Sequence, residues 1–367
     1  MSTRPNFILD LDDTLIATGE LYRRVRDEFL ACLQSEGFDI EQARQVFEGR
    51  ENENTQLFGH DSNRYSVSMT ETVERLCGGS APNGLIGKVK QIGLRIHDEI
   101  PDLVVGAKEA ISALRSMGEV SLISRGEQEL QIKKIRHHEL DAFFGEIKIV
   151  ERKTVNEFRE FVKRLQLDVS NTWVVGDSIQ ADINPALELG LKPILVPYPS
   201  LTYTWTQDQA VPISWRFFAA RSLSQIHEIV LLEQTAALLA LADDAFKALS
   251  HAYAPYSGFR VGASVRASDG TCYRGANVEN ASLSLTIDAE QSALVSALGS
   301  GNRSFAGVAI VASKDGTQPS HVMPCGKCRQ WFSELLEPST PIAVVGVRGV
   351  HIWRVTELLP EPFTSYA

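Results

Sequence analysis

The sequence predicts two α/β domains in tandem, the first of them a doubly wound parallel sheet with an inserted helical cap. The chain has 367 residues, which is more than one ordinary core and suits two domains of about 100–200 residues each. Short apolar runs alternate with helical patterns, as in βαβ units. A helical block, about 17–100, separates the first strand from the others, so we expect it to form the cap.

The first predicted strand is the apolar run 7–11, which ends in carboxylates. In the cap that follows, Leu21, Val25 and Phe29 repeat at helical spacing, and Pro101 ends the helical stretch. Strands and helices then alternate. The predicted strands are 120–124, 147–150, 173–176 and 193–197, and the predicted helices are 127–138 and 155–165.

The boundary between the domains is predicted at 233/234. Residues 198–200 and 205–212 have the composition of surface loops, and 222–232 are predicted to form the last helix of the first domain. An alanine- and leucine-rich helix at 235–250 then opens the second domain. The remaining predicted elements are strands at 260–266, 272–278, 307–311 and 342–347, a helix at 288–298, and a helix that begins at a cysteine pair.

The composition is that of a soluble globular protein, with 44% hydrophobic and 22% charged residues. No apolar run approaches the ~18–20 residues needed to cross a bilayer, and the start of the chain lacks the apolar segment of a signal peptide. We therefore predict a cytoplasmic protein that does not bind membranes. The net charge of −10 argues against polymeric nucleic acid as a partner and leaves small-molecule substrates.

Carboxylates and other polar residues follow several of the predicted strands. Asp10 and Asp12 form a D-x-D-x-T pattern at the end of the first strand and lie on the same side of the chain. One such carboxylate can act as nucleophile and the other can move a proton. Ser124 ends the next strand, Lys153 precedes a helix, and Asp177 follows a third strand. Carboxylates at that third position suit Mg²⁺.

Each of these pieces alone has an ordinary structural explanation. Asp10 and Asp182 are suitable helix caps, and a lone lysine such as Lys153 is more often solvated. Their order along the chain and their place at strand ends, where open α/β sheets bind ligands, favour an active site.

These four motifs resemble those of the haloacid dehalogenase superfamily, over roughly residues 6–233. The resemblance implies that Asp10 forms an aspartyl-phosphate and that Asp12 serves as general acid and then base. Ser124 and Lys153 would hold the phosphoryl group, Thr14 would contact substrate and Asp182 would support the site. Mg²⁺ would be bound by Asp10, the Asp12 backbone and Asp177. A carboxylate at position 12 indicates a phosphatase.

The second domain carries Cys325 and Cys328 as a C-x-x-C pair, the spacing at which two thiolates share one metal ion. Such a pair alone can also be a redox site. Glu290 lies upstream, as in zinc deaminases, where H-x-E or C-x-E precedes P-C-x-x-C. The other cysteines, Cys32, Cys77 and Cys272, are predicted to be buried thiols.

Residues 237–367 resemble cytidine deaminases, on the cysteine motif and on three further segments: 253–263 (YAPYSGFRVGA), 277–280 (NVEN) and 356–360 (TELLP). The resemblance implies a three-layer α/β domain that binds Zn²⁺ and uses Glu290 as proton shuttle. Phe259 would pack on the pyrimidine, and Asn277 and Glu279 would bind the sugar. Without the resemblance, Phe259 is a core residue and Glu279 a surface charge.

Asp288 stands where this family has His or Cys. Aspartate also binds zinc, but one carboxylate and two thiolates around Zn²⁺ leave the site at a formal charge of −1. An excess negative charge acidifies a bound water less than a neutral site does. We therefore expect Asp288, Cys325 and Cys328 to bind Zn²⁺ in a working deaminase that is slower or has a more alkaline optimum.

Together the two domains predict a bifunctional hydrolase that dephosphorylates CMP or dCMP and then deaminates the cytidine or deoxycytidine. One alternative is deamination of the nucleotide first, followed by dephosphorylation of UMP or dUMP. Another is an inactive deaminase fold that serves the phosphatase as a nucleoside sensor or oligomerisation module. The intact Glu290 and cysteine pair argue against the sensor. The resemblance also implies a homo-oligomer formed through the deaminase domain.

Overall fold

The computed structural model describes residues 4–59, 63–196 and 211–364. The chain divides into two compact units, Met1–Val211 and Pro212–Ala367. This boundary lies earlier than the predicted 233/234, so the segment predicted to end the first domain belongs to the second unit. Most of the predicted loop between residues 198 and 212 lies outside the described residues.

The first unit is built on a parallel sheet, as predicted. Its strand order is β3-β2-β1-β4-β5, and β1 lies between β2 and β4. The strands are β1 (Asn6–Leu9), β2 (Glu119–Arg125), β3 (Glu146–Val150), β4 (Thr172–Gly176) and β5 (Lys192–Leu195). Because the strands are parallel, the residues that follow β1, β2 and β4 meet at one edge of the sheet.

The predicted cap is a set of helices with an apolar core of its own. The helices are α1 (Thr18–Ser35), α2 (Ile40–Phe58), α3 (Arg64–Leu76) and α4 (Asn83–Asp98). Leu21, Val25 and Phe29 are buried in this core, which confirms the helical spacing read from the sequence. The cap also buries an ion pair, in which Arg64 contacts the Glu51 carboxylate at 2.6 Å.

Further helices connect the strands of the first unit. They are α5 (Ala107–Met117), α6 (Gln128–His137), α7 (Val155–Arg164) and α8 (Asn184–Glu188). Helix α5 was not predicted, although its buried Ile111 and Leu114 have helical spacing. Helices α6 and α7 confirm the two that were predicted. Helix α6 begins just after β2, the strand that ends in Ser124 and Arg125, so it starts at the edge of the sheet where the predicted site lies.

The second unit begins with two helices, α9 (Ile226–Ala236) and α10 (Leu238–Ala248). The sequence predicted two helices here, at 222–232 and 235–250, and the structure places the break between them later in the chain. Ala237 has a left-handed backbone (φ 49°) and separates the two helices. Helix α9 belongs to this unit because Glu228 pairs with Arg354.

A mixed sheet forms the centre of the second unit, in the order β6-β11-β10-β9-β7-β8. Its strands are β6 (Phe218–Ala219), β7 (Arg260–Ala267), β8 (Cys272–Ala276), β9 (Phe305–Ser313), β10 (Pro341–Gly346) and β11 (Gly349–Arg354). Strand β11 was not predicted. Strands β9 and β10 are parallel, whereas β7 pairs antiparallel with both β8 and β9.

Helices cover both faces of this sheet, which confirms the three-layer architecture. The helices after α10 are α11 (Ala289–Gly299), α12 (Gly326–Leu335) and α13 (Val355–Leu358). A Cβ at Gly262 would meet the backbone of α10, whereas one at Gly275 would meet the backbone of α11. Gly275 pairs with Ala263, so these glycines point to opposite faces of the sheet.

None of the helices in the described parts of the chain is both long enough and apolar enough to cross a bilayer.

Candidate active sites

The first site lies at the edge of the sheet where β1, β2 and β4 end. Asp10 follows β1, and its carboxylate is buried against the Lys153 ammonium. Lys153 also contacts Asp182 Oδ1 at 2.8 Å. Burial opposes the positive charge on Lys153, but Asp10 and Asp182 outweigh it and raise the lysine pKa. The structure therefore brings Asp10, Lys153 and Asp182 together, as the sequence predicted.

Thr14 is fully buried in this site, and its hydroxyl donates to Asp10 Oδ2 at 3.1 Å. The sequence predicted that Thr14 contacts substrate. In this structure the hydrogen bond fixes one of the two Asp10 carboxylate oxygens, and contact of Thr14 with substrate stays a prediction.

Asp12 is held by residues that the sequence analysis did not single out. Lys134 Nζ lies 2.7 Å from Asp12 Oδ1, and Gln131 Nε2 lies 2.6 Å from Asp12 Oδ2. Gln131 Nε2 is also 2.7 Å from Ser124 Oγ, so it links the predicted proton carrier to the predicted phosphate ligand. Thr18, at the start of α1, donates a further hydrogen bond to Asp12.

These contacts favour the ionised form of Asp12. Burial opposes ionisation of this carboxyl, but the Lys134 charge and the hydrogen bonds from Lys134, Thr18 and Gln131 outweigh burial and lower its pKa. The neighbouring Asp13 behaves in the opposite way. Burial, together with the charges of Asp12 and Asp10, raises the pKa of Asp13 to about 7 although the Gly19 amide donates to it at 2.6 Å.

Asp10, Asp177 and Asp182 form a cluster of carboxylates at the centre of the site. One oxygen from each lies within 4.8 Å of the others. Burial and the charges of Asp10 and Asp182 raise the Asp177 pKa well above its usual value. Burial raises the Asp182 pKa to about 6, against the opposing charge of Lys153. Buried carboxylates that repel one another and offer oxygen ligands fit a hard cation such as Mg²⁺.

The residues of this carboxylate cluster overlap with the predicted magnesium ligands but are not identical to them. Asp10 and Asp177 lie in it, as expected. Asp182, predicted to support the site, contributes an oxygen to the cluster itself. The Asp12 carboxylate is bonded to Lys134 and Gln131, so any role of Asp12 as a ligand falls to its backbone, as the resemblance implied.

A cavity of 1030 Å³ adjoins this site within the first unit. Lys153 and Arg125 line it on the side of the sheet, and Thr55 and Gln56 of α2 line it from the cap. The cavity is large enough for the organic part of a phosphate ester. The cap therefore contributes side chains to the substrate space, as expected for an inserted cap.

The second site lies where α11 and α12 begin. Asp288 occupies the N-cap position of α11 and Cys325 that of α12. Asp288 Oδ2 lies 3.4 Å from Cys325 Sγ and 3.3 Å from Cys328 Sγ. A carboxylate and two thiols gathered this closely fit Zn²⁺, which binds oxygen and sulfur ligands in a tetrahedral arrangement.

Glu290 lies in the first turn of α11 and is 4% exposed. Burial raises its pKa, and the charge of Asp288 adds to the effect. Burial also raises the pKa of the Cys328 thiol, together with the negative charges of Glu290 and Asp288. A cation in the site relieves this accumulation of negative charge, which is a further reason that these residues fit a metal ion.

A cavity of 520 Å³ opens beside Asp288. Its described lining residues are Tyr256, Ser257, Glu279, Leu283, Thr286, Asp288 and Lys327. Glu279 accepts hydrogen bonds from the amides of Tyr256 and Ser257 at 2.9 and 3.2 Å, and the hydrogen bond from the Ser257 hydroxyl is the main cause of its lowered pKa. The structure thus places Glu279 at the cavity, and its role as a sugar ligand stays a prediction.

Asn277 and Phe259 are not among the described residues that line this cavity. The Asn277 side chain accepts from the Val261 amide at 2.9 Å and donates to the Phe259 carbonyl at 3.0 Å. In this structure Asn277 therefore ties the segment before β7 to the segment after β8. Its predicted role as a sugar ligand and that of Phe259 as a base contact stay predictions.

Comparisons with known proteins identify the family of each domain. The family model of haloacid dehalogenase-like hydrolases matches residues 7–196. The model of the cytidine and deoxycytidylate deaminase zinc-binding region matches residues 237–342. A cytidine deaminase of Halalkalibacterium halodurans is 43% identical over 126 residues, which are 34% of this chain and 92% of the relative. The chain belongs to both families.

Other relatives extend these matches. A cytidine deaminase of Sporosarcina psychrophila is 42% identical over 120 residues, covering 32% of this chain and 85% of the relative. A haloacid dehalogenase-like family hydrolase from Xanthomonas campestris shares the fold of the first part, with a TM-score of 0.53 and 24% identity over 62% of this chain and 91% of that chain. The protein is an enzyme with a haloacid dehalogenase-like hydrolase domain and a cytidine deaminase domain.

Proposed function

We propose that this chain is a bifunctional hydrolase that dephosphorylates a pyrimidine nucleoside monophosphate, CMP or dCMP, and then deaminates the nucleoside. The observation that carries the proposal is that both sites are assembled in one chain. Asp10 and Lys153 are paired in the hydrolase domain. Asp288 and both cysteines converge beside the buried Glu290 in the deaminase domain.

In the hydrolase domain, Asp10 is placed to act as nucleophile. Thr14 and Lys153 fix its carboxylate, so one oxygen can attack phosphorus while the bond to the nucleoside oxygen breaks. In its protonated form Asp12 gives a proton to the leaving oxygen and becomes the carboxylate that Lys134 and Gln131 stabilise. Water then attacks the phosphorus of the aspartyl-phosphate, Asp12 takes the water's proton, and the bond to Asp10 breaks to release phosphate. Mg²⁺ held by the carboxylate cluster would supply positive charge to the phosphoryl oxygens.

In the deaminase domain, Glu290 is placed to move protons. Burial raises the pKa of Glu290 toward the pH of the reaction, and a carboxyl with such a pKa both accepts and donates protons readily. It takes a proton from water as the oxygen adds to C4 of the cytosine and delivers it to N3. It then takes the proton of the new C4 hydroxyl and carries it to the amino group, and the C4–N bond breaks to release ammonia and leave a C4 carbonyl. Zn²⁺ held by Asp288, Cys325 and Cys328 would activate the water.

The lining of the deaminase cavity favours dephosphorylation as the first step. Glu279 and Asp288 present carboxylates to the cavity, and the one cation among its described lining residues, Lys327, is paired with Asp288. Carboxylates without an unpaired cation repel a phosphate group. The free nucleoside is therefore the better substrate, and the hydrolase domain supplies it.

A time course with the purified chain, Mg²⁺ and CMP or dCMP tests the order of the reactions. Chromatography should show the nucleoside as the early intermediate and uridine or deoxyuridine as the end product. UMP or dUMP as the early intermediate would reverse the order. Release of phosphate without any ammonia would instead support the alternative of a sensor or oligomerisation module.

We also infer that the deaminase domain forms a homo-oligomer. Leu283, Leu285 and Ile287 are exposed by 80%, 64% and 47%, respectively, on the segment that leads to Asp288. An apolar segment of this kind is commonly covered by a partner. Light scattering after size exclusion should give a dimer or a larger assembly, and a monomer at micromolar concentration would contradict the inference.

A further inference from the structure

Lys327 lies between the two cysteines of the deaminase site and contacts the segment that carries Asp288. Its Nζ is 3.4 Å from Asp288 Oδ2 and donates to the Thr286 carbonyl at 3.1 Å. The side chain is 49% exposed, so one side faces solvent while the ammonium group stays at the site. Lys327 therefore bridges the start of α12 and the residues just before α11.

The charges around this lysine explain why a cation is needed there. Asp288 and two thiolates bring a formal charge of −3, and Zn²⁺ leaves −1. Cys328 is one of these thiolates and is buried, as is Glu290 beside the site, so water solvates the excess negative charge poorly. Among the described residues, Lys327 makes the one ion pair with Asp288. Its charge brings the formal total of ligands, metal and lysine to zero.

Lys327 also bears on the orientation of the Asp288 carboxylate. Asp288 Oδ2 faces both sulfur atoms and also the Lys327 ammonium. A carboxylate ligand rotates unless an outer partner fixes it, and such partners contribute strongly to metal affinity. Since Lys327 is anchored independently on the Thr286 carbonyl, it can hold the carboxylate in place over the thiols.

We propose that Lys327 is a positioning residue that fixes Asp288 as a metal ligand and balances the charge that this carboxylate brings to the site. The proposal rests on zinc binding by Asp288, Cys325 and Cys328, which belongs to the proposed function. It implies that Asp288 and Lys327 act as a pair. The lysine matters when residue 288 is an aspartate and matters little when a neutral ligand replaces it.

A double-mutant cycle on the full-length protein tests this pairing, with zinc affinity measured by competition with a chelator. Lys327→Gln removes the charge but keeps a donor for the Thr286 carbonyl, and Lys327→Arg keeps the charge. Asp288→His supplies a neutral ligand. Circular dichroism of each metal-free variant confirms that the fold is intact.

The wild-type protein should bind zinc, and Lys327→Gln should bind it about tenfold more weakly. Lys327→Arg should retain most of the affinity. In the Asp288→His background, Lys327→Gln should have little effect, which gives a coupling between the two positions. An equal loss in both backgrounds, or none in either, would overturn the proposal. So would unchanged zinc affinity with a raised KM for cytidine, which assigns Lys327 to substrate contact.

A wild-type protein that binds no zinc is a different outcome. It would refute the proposed metal site itself, and with it the role of Lys327. Zinc binding by the wild type that does not respond to residue 327 would refute only the role of the lysine.

Discussion

Lys134 Nζ lies 2.7 Å from Asp12 Oδ1 in the hydrolase domain, and the lysine side chain is 7% exposed. This pair connects helix α6 to the residue that moves protons in the proposed reaction. Gln131, one turn earlier on the same helix, contacts the other Asp12 oxygen at 2.6 Å. Helix α6 thus determines where the Asp12 carboxyl points and how readily it ionises.

Replacing Lys134 with methionine should lower phosphatase kcat by about 10-fold to 100-fold, part of the ~10²–10⁴-fold that a positioned proton carrier contributes. Loss of the ammonium raises the Asp12 pKa, because burial then dominates. Asp12 must be protonated to act as acid in forming the aspartyl-phosphate, the step that kcat/KM reports, so the alkaline limb of the kcat/KM profile should move to higher pH. The exposed Lys163→Met serves as control.

The same substitution should also change stability with a defined sign. The folded-state pKa of Asp12 is lowered, so its interactions stabilise the fold above the unfolded pKa of about 3.9 and are lost as the pH falls through the folded value. Lys134→Met should therefore unfold at a lower temperature than wild type at pH 7. An unchanged pH profile together with unchanged stability would show that the ion pair has no role.

Asp177→Asn should stabilise the metal-free protein at neutral pH. The Asp177 pKa is raised by burial and by Asp10 and Asp182, so this carboxyl destabilises the fold increasingly as the pH rises above its unfolded pKa of about 3.9. Each kcal/mol gained should raise Tm by about 2–4 °C. The variant should also lose stabilisation by Mg²⁺ and most phosphatase activity. Thermal melts with and without Mg²⁺ measure this, and a lower Tm in the metal-free variant would contradict it.

Much of the first site was predictable because parallel strands bring their carboxyl ends to one edge. Asp10 and Asp177 follow β1 and β4, and Ser124 lies near the end of β2, so their proximity required only the strand assignments. Gln131 and Lys134 were missed for a physical reason. Their spacing shows that they share one face of a helix, but not that this face lies against Asp12.

The second site shows a similar limit. The two cysteines were identified from their spacing, and Asp288 and Glu290 from the resemblance to cytidine deaminases. Lys327 was not identified, since a lysine between two cysteines is usually solvated. Its contact with Asp288 exists because α11 and α12 begin side by side.

Strand β11 was also missed. Its partner β10 lies next to it in the chain, and the two are joined by a tight turn ending at Gly349, whose φ is +99°.

Glu290→Gln should reduce deaminase turnover by about 10²–10⁴-fold, the contribution expected of a positioned proton carrier. The amide has nearly the same shape as the carboxyl but cannot shuttle protons. Zinc content and phosphatase activity should stay at wild-type levels, because Glu290 is neither a proposed ligand nor part of the first domain. Ammonia release from cytidine is the measurement, and the exposed Glu334→Gln is the control. Retained turnover would assign the proton transfers to another group.

The most direct test of consecutive reactions is the fate of CMP with an Asp10→Asn variant, which lacks the proposed nucleophile. We predict that this variant forms no cytidine, uridine or UMP from CMP, while it converts added cytidine to uridine at the wild-type rate. Formation of UMP from CMP would contradict it, since the deaminase domain would then act on the nucleotide before the phosphate is removed.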